Sequence, residues 1–185
     1  MSVVIGLKTK KGIIMAADSQ VTSGQLKIPE NQQAPKCVKT TSGIIVGTVG
    51  SLLNHTQLVA LPIFHAIFKA PKLTKAIMIE EIVNPWFHAM RSLEEDISDQ
   101  LYKSYSRALF AHQDILFYVD YRGGIYQIDH YIAIGSGSDA AFPHLSDTHL
   151  SDSKRINGAL KAAAYFDAMV SGPFIIHPTF EGAIE

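Results

Sequence analysis

One cysteine, Cys37, is too few for an intrachain disulfide. Its place in Lys36-Cys37-Val38, within a run that reads as a strand, makes it a small packed residue rather than a nucleophile. No apolar run approaches the roughly 20 residues that span a bilayer. The richest, Leu58 to Phe68, is broken by Pro62 and His65. A basic-then-apolar leader pattern is also lacking, so a cytoplasmic protein with no membrane partner is expected. Charge of either sign is scarce: 18% of residues are charged and the formal net charge is -1, which leaves no electrostatic footprint for nucleic acid. The eight histidines contain no His-Glu-x-x-His pattern, and His144 and His149 have no cysteine or carboxylate cluster beside them. No metal or cofactor is therefore expected. Neither a Gly-x-Ser-x-Gly elbow nor a Walker-type Gly-Lys-Ser/Thr segment occurs.

What is present is a chain of 185 residues, 47% hydrophobic, which suits one well-buried domain over residues 1–185. The first stretch, Ser2 to Thr9, a turn at Lys10-Lys11-Gly12, and Ile13 to Ala17 with Asp18 after it, reads as a hairpin. Gln20 to Pro35 carries turn chemistry and reads as a loop. Lys36 to Lys39 and Ile44 to Val49 form a second hairpin around Thr41-Ser42-Gly43. From Gly50 the period becomes helical, first up to Pro71 and then, from an N-cap at Thr74, over a long helix to about Leu109. Its stripe is Ile77, Ile82, Trp86, Met90, Leu93, Ile97 and Leu101, with a kink at Pro85. A third hairpin covers Asp114–Asp120 and Ile125–Asp129, and a strand at Tyr131–Ile134 runs into Gly135-Ser136-Gly137-Ser138. Helices at about Ala140–Leu145 and Asp152–Val170, the latter capped by Asp152, precede a last strand at Pro173–His177. Such segregated runs predict an α+β fold, a four-layer αββα sandwich of two stacked antiparallel sheets flanked by helices.

Ser2 follows the initiator Met and is small enough for that Met to be trimmed. The new first residue would carry a hydroxyl and a free α-amine, whose pKa of roughly 8 lets it act as a base for its own side chain. Only Met1 precedes Ser2, so loss of one residue, rather than of a propeptide, is the expected maturation.

Four separated places resemble the proteasome β-subunit and bacterial HslV peptidase family, over nearly the whole chain. They are Ser2-Val3-Val4-Ile5-Gly6 leading to Gly12-Ile13-Ile14-Met15-Ala16-Ala17-Asp18; Val21-Thr22-Ser23-Gly24 with the later Lys36; Thr48-Val49-Gly50 opening a helix; and Ile132-Ala133-Ile134-Gly135-Ser136-Gly137-Ser138. Each alone is an ordinary feature, and their order and spacing carry the resemblance.

The resemblance implies an N-terminal nucleophile hydrolase that cleaves peptide bonds in peptides or unfolded polypeptides. Ser2 would be the nucleophile, Lys36 the cation that lowers the hydroxyl and amine pKa values, and Asp18 the anion that orients Lys36. Lys36 is taken over Lys39 and Lys27 for its apolar followers and its distance from Gly50. Gly50 would give the oxyanion-hole N–H, and Ser136, Asp167 and Ser171 would surround the amine. Asp167-Ala168-Met169-Val170-Ser171 carries one residue more than the proteasome spacing. Thr22 and Gly50 would pair with an extended substrate, and Thr48 would line the pocket for the side chain before the scissile bond. Serine replaces the family's usual threonine, losing a methyl that restricts χ1. Stacked rings of identical subunits are implied as the assembly, with room for a separate ATP-driven unfoldase. A non-catalytic ring or scaffold subunit, and an amidase or peptide ligase, stand as alternatives on the same fold.

Overall fold

The first strand explains the architecture. In β1 (Val4–Lys8) and β2 (Ile13–Ala17), every residue but Lys8 is buried, so no polar face alternates with an apolar one. Both faces of this hairpin are covered. Val4, Ile13, Met15 and Ala17 pack into an apolar layer with Cys37, Ile45, Leu109 and Leu116. Val3, Ile5, Leu7, Ile14 and Ala16 pack the other way, against Leu145, Ile156, Leu160 and Ala163. A strand's period of two thus sends alternate residues to two different cores. The computed structural model describes residues 2–23, 26–27, 35–96 and 106–184.

Two short strands, β3 (Thr22–Ser23) and β4 (Leu26–Lys27), pair as a small ribbon inside the stretch read from the sequence as loop. β5 (Cys37–Lys39) and β6 (Ile45–Val49) follow. Helix α1 (Leu52–Val59) stops short of Pro62, and a 3-10 turn at Pro62–Phe64 takes over, so the helix expected up to Pro71 is broken by its own proline. The short α2 (Lys75–Ile77) is capped by Thr74, whose side chain accepts from the Ile77 N–H, as expected. It continues through a π-helical turn (Met78–Val83) into α3 (Asn84–Asp96). The disturbance expected of Pro85 is therefore a widened turn just before it.

The long helix expected to reach Leu109 is corrected. Arg107–His112 is strand β7, paired with β6 on one side and with β8 (Ile115–Val119) on the other. Ala108 to Ala111 are buried on both faces, and such a run carries no alternation to separate it from a helical stripe. Ile97 and Leu101 of the expected stripe lie outside the described residues. β9 (Ile125–Gln127) completes the third hairpin with β8, and β10 (Tyr131–Ile134) leads to α4 (Ser138–Ser146). α5 (Asp152–Phe166) is capped by Ser151 rather than Asp152, which stands in its first turn, and ends four residues before Val170. β11 (Ile175–Pro178) is last.

The strands form a four-stranded sheet, β10-β1-β2-β11, and a five-stranded sheet, β5-β6-β7-β8-β9, with antiparallel pairing throughout. Between them lies the layer of Val4, Met15, Ile45 and Leu109. α4 and α5 cover the outer face of the first sheet, and α1 and α3 that of the second, where Trp86, Phe64, Phe110 and Leu58 pack. This is the four-layer αββα sandwich expected. Among the described residues no helix is long and apolar enough to cross a membrane.

Candidate active site

Register brings the sequence-distant residues together at one end of the sandwich. Val4 pairs with Ala17 on β2 and with Ile134 on β10. Stepping back from Val4 therefore sets Val3 opposite Asp18 and Ser2 beside the Gly135-Ser136 turn. The Ser2 N–H donates to Ser136 Oγ at 3.1 Å. The Gly137 N–H donates to the Ser2 carbonyl at 3.2 Å. Gly135 sits at φ 104° with its missing side chain aimed at that carbonyl, so any Cβ would collide with the Ser2 backbone.

Asp18 is fully buried at the end of β2. One carboxylate oxygen accepts from the Val3 N–H at 2.8 Å; the other accepts from the Gln20 N–H at 3.1 Å and from Lys36 Nζ at 2.7 Å. The Lys36–Asp18 ion pair crosses between the sheets, since Lys36 precedes β5 and its carbonyl accepts from the Thr48 N–H of β6 at 2.9 Å. Burial raises the Asp18 pKa, opposed by the Lys36 charge and by the hydrogen bonds from Lys36, Val3 and Gln20. Burial likewise lowers Lys36, opposed by Asp18 and then by Asp167. Of the other lysines considered, Lys39 points elsewhere, its Nζ donating to the Pro178 carbonyl at 3.4 Å, and Lys27 belongs to β4.

Gly50 closes β6 at φ 117°, and a Cβ there would lie 2.6 Å from Ser106 Oγ. Ser106 holds this corner: its hydroxyl accepts from the Ser51 N–H at 3.3 Å and from Asn54 Nδ2 at 2.8 Å, capping α1 where Ser51's own side chain does not. A cavity of about 100 Å³ opens here, lined by Ser2, Gln20, Val21, Lys36, Thr48, Gly50, Ser51, Leu52 and His55. Ser2, Lys36, Thr48 and Gly50 were singled out in the sequence, and all four share it.

Asp167 caps the C-terminal end of α5. Its Oδ1 accepts from the Met169 N–H at 2.9 Å, while Oδ2 is buried with no hydrogen-bond partner among the described residues. The Ser171 hydroxyl donates to the Gly172 carbonyl at 3.5 Å, and the Ser171 carbonyl accepts from the Ser19 N–H at 3.4 Å. Thr22 lies in β3, two positions beyond Gln20.

Sequence reasoning missed His55, Gln20, Leu52 and Ser106. His55 figured there only as one of eight histidines without a metal pattern. In the fold its Nδ1 lies 2.6 Å from Thr48 Oγ1, and both side chains are buried. The available signal was the placement of a histidine in the first turn of the helix that follows Thr48-Val49-Gly50. Among the described residues no group of three or more His, Cys, Asp or Glu could hold a metal ion.

A buried Asp–Lys pair beside the first strand, in two stacked antiparallel sheets flanked by helices, defines the N-terminal nucleophile hydrolase fold. The chain belongs to the proteasome subunit family, whose model matches residues 2–162. Among solved structures it is similar to BPH from Thiobacillus denitrificans (TM-score 0.64, 19% identity, 96% of this chain and 98% of that one). It is also similar to HslV from Trypanosoma brucei (TM-score 0.63, 17% identity, 95% and 97% covered). A third likeness is to Anbu from Pseudomonas aeruginosa (TM-score 0.75, 12% identity, 95% and 80% covered). At these identities the likeness speaks for the fold alone. No curated protein matches the chain.

Proposed function

We propose that the chain is a peptidase subunit whose nucleophile is Ser2, exposed when Met1 is removed. The observation that carries this reading is the shared cavity: Ser2, Lys36, Thr48 and Gly50 line one pocket, with Lys36 held 2.7 Å from a fully buried Asp18. In this mechanism Ser2 Oγ attacks the peptide carbonyl and the freed α-amine takes its proton, directly or through a water. The Lys36 ammonium lowers the pKa of both groups, and Asp18 fixes its position. The Gly50 N–H receives the developing oxyanion, worth roughly 3 kcal/mol in comparable sites. The α-ammonium returns that proton to the leaving amine as the C–N bond breaks, and water then hydrolyses the Ser2 ester, releasing the acid and restoring the hydroxyl. Ser136, Asp167 and Ser171 surround the amine, Thr22 and Gly50 pair with the extended substrate, and Thr48 lines the side-chain pocket.

Family resemblance supports an assembly of identical subunits enclosing the sites, and a separate ATP-driven unfoldase fits alongside it. A BPH structure is described in complex with epoxomicin and the Pseudomonas Anbu complex as a helical assembly, so both an inhibitor and an assembly geometry are open to test. Intact mass with N-terminal sequencing, before and after an epoxyketone probe, decides the chemistry. A chain beginning at Ser2 that gains one probe mass supports the peptidase. A chain that keeps Met1 and gains none is a scaffold subunit. An active enzyme that turns over only small amides and leaves unfolded polypeptide intact is an amidase.

A further inference from the structure

The cavity beside Ser2 has an uneven lining. Gly50 and Leu52 are exposed, whereas Ser2, Gln20, Thr48 and His55 are buried. At about 100 Å³ it is small beside the roughly 300–1,000 Å³ of ordinary ligand clefts, and suits one side chain. Its buried lining is polar: Thr48 Oγ1 and His55 Nδ1 are 2.6 Å apart, which leaves Nε2, on the other side of the imidazole ring, outside that contact.

We propose that the Thr48–His55 pair selects substrates whose side chain before the scissile bond is uncharged and both donates and accepts hydrogen bonds, asparagine and glutamine above all. This inference rests on the peptidase reading. A neutral imidazole with Nδ1 tied to a hydroxyl presents Nε2 either as an N–H donor or as an acceptor, according to which partner donates in the Thr48 bond. A carboxamide satisfies both states by turning. A carboxylate satisfies only the first and an ammonium only the second. Burial lowers the His55 pKa from its ordinary 6.5, which keeps the ring neutral at physiological pH. A basic side chain would also face the Lys36 ammonium, and a carboxylate would find that ammonium already paired with Asp18. An aliphatic side chain fills the volume but leaves Nε2 dry and unpaired, a loss of roughly ten- to a hundredfold.

The test uses the assembled protein and fluorogenic peptides that differ only at that position: Gln, Asn, Leu, Phe, Glu and Lys. Gln and Asn should exceed Leu in kcat/KM by about tenfold or more. In His55→Leu the Gln-to-Leu ratio should fall to about one or below, and in Thr48→Val, which frees the ring, it should fall part of the way. A wild-type preference for Leu, Phe, Glu or Lys, or a ratio unchanged in His55→Leu, overturns the inference and leaves the peptidase reading standing. Should His55→Leu not fold, the wild-type ranking and Thr48→Val decide. If no peptide is cleaved and no epoxyketone adduct forms on Ser2, the peptidase reading fails and takes this inference with it.

Discussion

Replacing Lys36 by methionine keeps the side chain's bulk and removes its charge from beside a carboxylate with no solvent exposure. Lys36 is 11% exposed and Asp18 0%, so the pair sits where water screens little. Breaking a buried pair by deleting one partner costs about 3–5 kcal/mol, because the remaining charge is stranded. Asp18 keeps two backbone donors, from Val3 and Gln20, which puts the loss near the lower figure. With an unfolding entropy of about 2.1 cal/mol/K per residue over 185 residues, ~3 kcal/mol lowers Tm by roughly 8 °C. The double variant Lys36→Met/Asp18→Asn removes the stranded charge and should recover about half of that loss, while peptide turnover stays abolished. The deficit of Lys36→Met also depends on pH. Without its cation, Asp18 has a folded pKa raised further above the unfolded value, so protonation favours the folded state and the deficit shrinks as pH falls toward about 4. Thermal melts at fixed protomer concentration, from neutral pH downward, measure both effects. A Lys36→Met melt within about 1 °C of wild type, or a double variant less stable than the single, would refute the stranded-charge account.

Ser2→Ala should abolish turnover and epoxyketone labelling with Tm shifted by no more than about 2 °C, since the backbone bonds of Ser2 remain; surviving turnover rules out Ser2 as nucleophile. Cys37 is fully buried between the sheets and its thiol is pushed up to about 12, so iodoacetamide should leave it unmodified until the chain unfolds, and Cys37→Ala should keep turnover at a cost of about 1 kcal/mol. Rapid alkylation of the native protein would contradict that burial. Burial also lowers His55, His112 and His177 below their ordinary 6.5. Between 6.5 and their folded values the unfolded chain binds more protons, so stability should be full above about pH 6.5 and fall as pH drops below it. Melts from pH 7.5 to 5.5 test this, and a Tm that rises on acidification has the wrong sign.

The first hairpin was legible because its signals are local: two short apolar runs and a Lys-Lys-Gly turn place Asp18 level with Val3. Ser136 followed from a second local motif at the end of a strand. The strand at Arg107–His112 was hidden because residues buried on both faces carry no period, and only its pairing with β6 and β8 declares it. The Thr48–His55 contact was hidden for another reason. It joins the last turn of a strand to the first turn of the helix after it, and its closeness depends on the angle at Gly50, which Ser106 sets from outside the segment. Neighbours created by a corner leave no trace in periodicity.

Three bonds that position Ser2 lie on its C-terminal side or on its own nitrogen: Gly137 N–H to the Ser2 carbonyl, Val3 N–H to Asp18, and Ser2 N–H to Ser136. Cutting the Met1–Ser2 bond leaves all of them in place, and Met1 itself lies outside the described residues. Maturation would therefore change charge rather than shape, turning an amide nitrogen into an amine. The buried Asp167 Oδ2 has no partner among the described residues and its charge acts on Lys36; the proposed mechanism sets this carboxylate beside the new amine. An anion near an amine favours the protonated form and raises the amine's pKa. The base form works only when deprotonated, so the acid limb of kcat/KM against pH reports that pKa. Asp167→Asn removes the anion and should move the acid limb to lower pH. A mainly structural role for Asp167 would lower activity at all pH values and leave the limb where it is.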